Sequence, residues 1–406
     1  MRVTGFETFP IAVPPPHLGG RHWLALRLDT DAGVSGYGEM MLLSYAFRWP
    51  VACAMVEDLA EQALIGHDPF DAEALFDRVY GRAGYSHVPD LTKLSILSAF
   101  DMACWDIVGK ALGQPLHRLL GGRLRERLRT YTYLYPTAGE TVAAGTRALW
   151  LEGEAAARRA REYVDLGFTA VKIDPFSLQL SEDQTLGQLV PLEFTPSALG
   201  NAERVIGAIR EEIGGAADIL IGTHGQMTPA AAIRFARSVE RHDPLWFEEP
   251  VPPENAAALA AVARATRIPI ATGERLTSKH EFARLLAHEA AAVLNIDLGT
   301  VGGILEAKKI AAMAEAHYVQ IAPHVYGGPL IAAASIQLSL CSPNFLILEG
   351  VERFGGLYDE LADPPFSWSE GFLYPSERPG LGHGLREDVA RSLRPQTPGP
   401  SLVRGY

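Results

Sequence analysis

Cysteine is scarce in this chain: three residues in 406, Cys53, Cys104 and Cys341, far apart, in apolar surroundings and without a CxxC pair. That argues against a disulfide framework and a thiolate zinc site, and fits a reducing compartment. Long apolar runs are missing too; nothing approaches the ~18 residues of a membrane span. The N-terminal residues lack a basic segment followed by an apolar run and a small-residue cleavage site, so an unexported, cytoplasmic protein is the expectation. Basic clusters are equally absent, and the net charge is −12. Nucleic acid and anionic membrane surfaces are therefore poor partners, and a small molecule is the better expectation.

What is present is a large apolar fraction, 48%, and a length that suits a barrel of roughly 250 residues plus a smaller partner. Residues 1–124 read as strands followed by helices, an α+β unit. Val3 to Val13, Trp23 to Leu28 and Val34 to Glu39 are the strands, and Asp29 to Gly33 is a hairpin turn. Helical patterns then run over Val51–Leu64, Ala72–Tyr80 and Leu91–Leu112. The loops at Gly19-Gly20 and Gly84–His87 are candidates to cover a neighbouring site, or simply exposed turns.

From Leu128 the pattern becomes short strand, long helix, short strand. The spacing predicts an α/β fold, a (β/α)8 barrel over residues 125–350 with the N-terminal unit as a cap. Helices are expected at Gly153–Leu166, Ala202–Ile213, Pro229–Arg241, Asn255–Thr266, Lys279–His288 and Ile304–Ala316. The stretch from Phe176 to about Gly200 reads as a long lid or binding loop. Residues 351–406, rich in Gly and Pro, are expected to pack back onto the cap.

The central stretch is Leu245-Trp-Phe-Glu-Glu-Pro250, an apolar strand closing on carboxylates. Further strands end in Glu274, Asp297, His324 and Glu349. Glu248 and Glu274 on adjacent strands suit a hard divalent cation such as Mg²⁺, whereas Glu249 is as well explained by pairing with Arg275. Asp297 and His324 end consecutive strands, so the carboxylate could fix one imidazole tautomer and raise its basicity. Lys172 and Asp174 share one side of their strand by period two. Lys172 is a second base or a ligand for a substrate carboxylate, with a salt bridge to Asp174 as the plainer reading. Glu349 is a hydrogen-bond donor, an ion-pair partner or a solvent-facing strand end.

These residues together resemble the enolase superfamily, and within it the mandelate racemase subgroup. The likeness rests on Trp246-Phe-Glu-Glu-Pro250, Thr272-Gly-Glu274, Asp297 five residues before Gly302-Gly303, Ala322-Pro-His324 and Asn344-Phe-Leu-Ile-Leu-Glu349. Gly33-Val-Ser-Gly-Tyr-Gly-Glu39, Ala99-Phe-Asp-Met-Ala-Cys-Trp-Asp106 through Leu119-Leu-Gly-Gly122, and Pro379-Gly-Leu-Gly382 extend it over almost the whole chain. The resemblance implies a capping domain on a modified barrel, and removal of the proton α to a small-molecule carboxylate, with Mg²⁺ stabilising the enediolate. It makes His324, oriented by Asp297, the base, and Glu349 a partner of the substrate carboxylate. Glu248 and Glu274 become metal ligands, and His224 the acid that protonates a departing β-hydroxyl, as in acid-sugar dehydratases. It also implies a symmetric homo-oligomer.

Two positions depart from that pattern. The third metal ligand is an aspartate two residues before the histidine, and here the residue is Gly222. Asp174 or His224 could replace it, Asp174 being the better match for Mg²⁺. The lysine pair of the racemases reads Lys172-Ile-Asp174, which counts against a two-base racemase. Dehydration of an aldonate or aldarate to a 2-keto-3-deoxy acid is thus the leading expectation. Epimerisation or cycloisomerisation is the alternative, and a non-catalytic binding homologue the third.

Overall fold

A computed structural model describes residues 1–42, 48–81, 87–136, 149–176 and 193–396. Most of the expected loop at Gly84–His87, and most of the expected lid, 177–192, lie outside these residues. The capping unit opens with an antiparallel sheet of β1 (Val3–Ala12), β2 (His22–Thr30) and β3 (Ser35–Met40). Helices α1 (Trp49–Ala63), α2 (Ala72–Phe76), α3 (Leu91–Leu112) and α4 (Leu116–Leu119) follow. Asp90 caps α3 by accepting from Lys93 N, and Gly113 ends it in the left-handed conformation, a common helix stop. The sheet lies close against α3 because β3 carries glycine there: a β-carbon on Gly38 would sit 1.9 Å from the Ala99 carbonyl oxygen.

The barrel strands are β4 (Leu128–Tyr133), β5 (Ala170–Ile173), β6 (Asp218–Gly222), β7 (Trp246–Glu248), β8 (Ile270–Thr272), β9 (Val293–Leu294), β10 (Gln320–Ile321) and β11 (Leu348–Gly350). They pair in parallel in chain order. The ring closes where β11 pairs with β4, and β10 meets the β11 segment through a bridge between Ile321 and Phe345. Between them run α5 (Gly153–Asp165), α6 (Pro196–Ile213), α7 (Pro229–Val239), α8 (Ala256–Ala265), α9 (Lys279–Ala287), α10 (Ile304–Ala316) and α11 (Pro329–Leu340). Each β-to-α return covers the outer face of a parallel sheet, which is why these strands are apolar on both sides.

Two barrel helices differ from the sequence expectation. Helix α6 begins at Pro196, several residues before Ala202, with Thr195 as N-cap accepting from Ala198 N; Pro at the first helical position costs no hydrogen bond. Helix α11 had no counterpart among the expected helices, because every one of its residues is buried. A helix packed on all sides has no polar stripe to mark its period.

Beyond the barrel, α12 (Leu357–Leu361), β12 (Ala362–Asp363), β13 (Ser367–Ser369), β14 (Phe372–Tyr374), β15 (Gly384–Leu385) and α13 (Glu387–Ser392) complete the described chain. The β13–β14 hairpin joins the start of β4 antiparallel. Near the end, Glu387 accepts from Arg27 at 2.7 Å and from the Tyr37 hydroxyl at 2.9 Å, tying this segment to the capping sheet. No helix among the described residues is long and apolar enough to cross a membrane. All three cysteines are buried free thiols.

Buried carboxylates also hold cap and barrel together. Glu39 accepts from the backbone N–H groups of Gly328, Leu330 and Ile331 at the start of α11. Asp101 accepts from Ile304 N at 2.6 Å at the start of α10. Each places a carboxyl group at the N-terminal end of a helix, where it satisfies amides that the helix cannot.

Candidate active site

Strand periodicity builds the site in layers. A buried ring of Tyr131, Ala170, Leu220, Trp246, Ala271, Val293, Ala322 and Ile347, one residue from each strand segment, fills the barrel floor. Two residues further along each segment, alternation brings the same face of the chain up to the mouth. Those positions are Tyr133, Lys172, Gly222, Glu248, Gly273, Asn295, His324 and Glu349. At β8 backbone geometry breaks the pattern: Gly273, at φ +139°, turns the chain so that the next residue, Glu274, carries the acid.

Lys172 is completely buried, with its ammonium 2.5 Å from Glu248 Oε1 and 3.4 Å from Glu349 Oε1. The plainer pairing with Asp174 is therefore not the one these contacts display. Burial favours the neutral amine, but Glu248 and Glu349 outweigh it and hold the lysine well above its ordinary pKa. Glu248 also accepts from the Trp246 indole at 2.9 Å. Burial raises its pKa to about 7, against the pull of Lys172 and with the push of Glu274 and Glu349. Glu349 is buried rather than solvent-facing, and its second oxygen accepts from Val325 N. Glu249 takes a left-handed conformation, φ 44°, and turns from the mouth to pair with Arg275 at 2.7 Å.

Asp297 and His324 meet: Nδ1 of the ring lies 2.6 Å from Oδ2, while the other carboxylate oxygen accepts from Gly299 N. The proton on Nδ1 is thereby fixed, leaving Nε2 to face the mouth, 3.6 Å from Glu274 and 3.7 Å from Glu349. Burial lowers the basicity of the ring, but Glu349, Glu274 and Asp297 outweigh it and carry its pKa to about 10. Glu274 moves the opposite way. Burial would raise it, yet His324, His224 and Lys172 hold it well below the usual carboxylate range.

His224 follows β6 in a left-handed turn, φ 50°, continued by Gly225 at φ 71°. Its Nδ1 lies 3.5 Å from Asp174 Oδ2, and about a third of the side chain is exposed, 34%. Burial works against its protonation; Asp174 and Glu274 prevail and raise its pKa. Asp174 is anchored besides by Gln226 Nε2 at 2.8 Å and Phe176 N at 3.0 Å. An imidazolium next to an anchored carboxylate can donate a proton to a leaving hydroxyl.

The fit to a divalent cation is incomplete. Glu248 and Glu274 are both at the mouth, but among the described residues no group of three His, Cys, Asp or Glu side chains is arranged to hold an ion. At Gly222 a β-carbon would lie 2.5 Å from the Tyr133 hydroxyl and 2.6 Å from Lys172 Cε. The space of the expected third ligand is taken. Tyr133 is the residue that sequence reasoning missed: its alternation with Tyr131 marks it as inward-facing, but an aromatic residue in a strand also reads as core. The Gly19 turn is no free surface loop either. A side chain there would come within 2.8 Å of the Gly327 carbonyl oxygen, three residues past His324.

The chain is similar to known proteins over almost its whole length. Residues 8–121 match the mandelate racemase / muconate lactonizing enzyme N-terminal domain, and residues 155–389 match the enolase C-terminal domain-like family. A D-galactonate dehydratase of Verminephrobacter eiseniae is 34% identical over 95% of this chain and 93% of its own. A D-galactonate dehydratase of Pectobacterium atrosepticum is 31% identical over 96% and 93%. The crystal structure of a mandelate racemase/muconate lactonizing enzyme from Sulfitobacter sp. superposes with a TM-score of 0.90 at 39% identity, covering 99% of this chain and 97% of that one. Two family models spanning cap and barrel, whole-length relatives and a shared fold leave one assignment: the chain belongs to the mandelate racemase subgroup of the enolase superfamily.

Proposed function

We propose that the protein is a hydro-lyase that dehydrates an acid sugar, an aldonate or aldarate, to a 2-keto-3-deoxy acid. The observation that carries the reading is a pair of histidines at one barrel mouth, each beside an aspartate: His324 hydrogen-bonded to Asp297, and His224 with Nδ1 3.5 Å from Asp174. Nε2 of His324 takes the proton from the carbon α to the substrate carboxylate in the fraction of sites whose ring is unprotonated, a fraction that grows as pH rises toward about 10. Electrons move into an enediolate, the β-hydroxyl leaves with the proton of His224 as water, and the resulting enol tautomerises to the keto acid. Lys172, charged and held by Glu248 and Glu349, stands ready to meet the substrate carboxylate rather than to act as a second base. That counts against the epimerase reading. The D-galactonate dehydratase relatives support the dehydration chemistry.

Mg²⁺ is the cofactor that the family resemblance implies, and Glu248 and Glu274 are the two carboxylates suited to it. With the third-ligand space filled by Tyr133 and Lys172, those two carboxylates are left without a third. A symmetric homo-oligomer working in a reducing cytoplasm completes the proposal, and sedimentation of the purified chain tests the assembly. The activity is tested by incubating the enzyme with a panel of aldonates and aldarates and assaying 2-keto acid. Release of 2-keto acid from at least one supports dehydration; inversion at the α carbon without keto acid supports the epimerase instead.

A further inference from the structure

The volume beside Gly222 is occupied by two hydrogen-bond donors. Tyr133 is 7% exposed, and among the described residues nothing hydrogen-bonds its hydroxyl. Leaving a buried hydroxyl unpartnered is costly, so its retention at a site mouth points to a ligand. The ring cannot easily swing away. It stacks on Trp150 at 5.3 Å and faces His224 at 6.3 Å, and the Trp150 indole is itself anchored on the Leu134 carbonyl. Lys172 lies over the same ring, its ammonium 4.7 Å from the centroid. Burial, then the charges of Glu248, Glu274, Asp174 and Glu349, hold the phenol well above its ordinary pKa, so it stays a donor.

We infer that Tyr133 and Lys172 replace the third metal-ligating side chain with a built-in anion-binding pair, which takes a substrate carboxylate oxygen and relaxes the site's need for a divalent cation. The geometry supports both halves. An ammonium in contact with Glu248 neutralises a carboxylate that would otherwise attract the ion, and an aimed hydroxyl beside it supplies a second donor to the same anion. The inference rests on the proposed function only for the identity of the substrate, whose carboxylate any α-proton abstraction of this kind would share.

Two calorimetric titrations of the intact protein decide it without turnover, so a failure of the dehydration reading leaves them standing. The first adds Mg²⁺ alone. The wild type is expected to bind more weakly than about 1 mM, and Lys172→Met, which frees Glu248, to bind at least about tenfold more tightly. The second adds oxalate, a planar dianion resembling an enediolate, in the presence of chelator. The wild type is expected to bind it, and Tyr133→Phe to bind it about tenfold less tightly. Micromolar Mg²⁺ binding by the wild type, or oxalate binding only after Mg²⁺ is supplied, would overturn the inference. Both wild-type measurements stand even where a variant fails to fold.

Discussion

Nδ1 of His324 sits 2.6 Å from Oδ2 of Asp297, and the backbones of the two residues pair across adjacent strand ends. Side-chain and backbone contacts thus fix the same relationship twice. The carboxylate determines which ring nitrogen bears the proton, and so which one is presented to the mouth. Replacing Asp297 by Asn keeps the shape but lets the amide favour the wrong tautomer. The expected outcome is a fall in kcat/KM of about 10²- to 10⁴-fold, with an unchanged circular dichroism spectrum. An Asp297→Asn enzyme of wild-type activity would remove Asp297 from the mechanism.

His224 has a separable task. If it protonates the departing hydroxyl, His224→Asn stops formation of 2-keto acid, by about 10²-fold or more, yet leaves His324 able to take the α proton. In D₂O the variant is then expected to wash deuterium into the α position of unreacted substrate, read by proton NMR. Simultaneous loss of exchange and dehydration would instead make His224 part of proton abstraction or of substrate binding.

Glu39 links pH to stability. Burial raises its pKa from 4.5 to about 7, although the amides of Gly328, Ile331 and Leu330 pull it down. A group whose folded pKa is raised holds its proton more firmly in the folded state. Its contribution is complete below pH 4.5 and declines as pH rises toward about 7. The loss over that window is on the order of 3 kcal/mol. Glu39→Gln should flatten this part of the curve of melting temperature against pH; an unchanged curve would exclude Glu39 as its source.

Much of this was legible in the sequence, and the reasons differ from residue to residue. Glu248, Glu274, Asp297, His324 and Glu349 stood out because a polar residue ending an apolar strand breaks a pattern. Helix α10 was bounded at Ile304 and Ala316 by its amphipathic spacing, whereas fully buried α11 offered no such contrast. Glu39 and Asp101 were visible as parts of motifs, but their work lies in amides more than 200 residues away, beyond the reach of local spacing. Tyr133 needed three-dimensional contact with Gly222 and Lys172 before its hydroxyl could be told from an ordinary core aromatic. Residues 84–86 and 177–192, expected to cover the site and to act as a lid or binding loop, fall outside the described residues.

The most direct test of the central claim compares wild type with His324→Asn on whichever acid sugar the panel identifies, following 2-keto acid in a single turnover. Wild type should form it, and the variant, with its mouth otherwise intact, should be slower by about 10³-fold or more. Turnover by His324→Asn at the wild-type rate would contradict the assignment of His324 as the base, and with it the proposed mechanism.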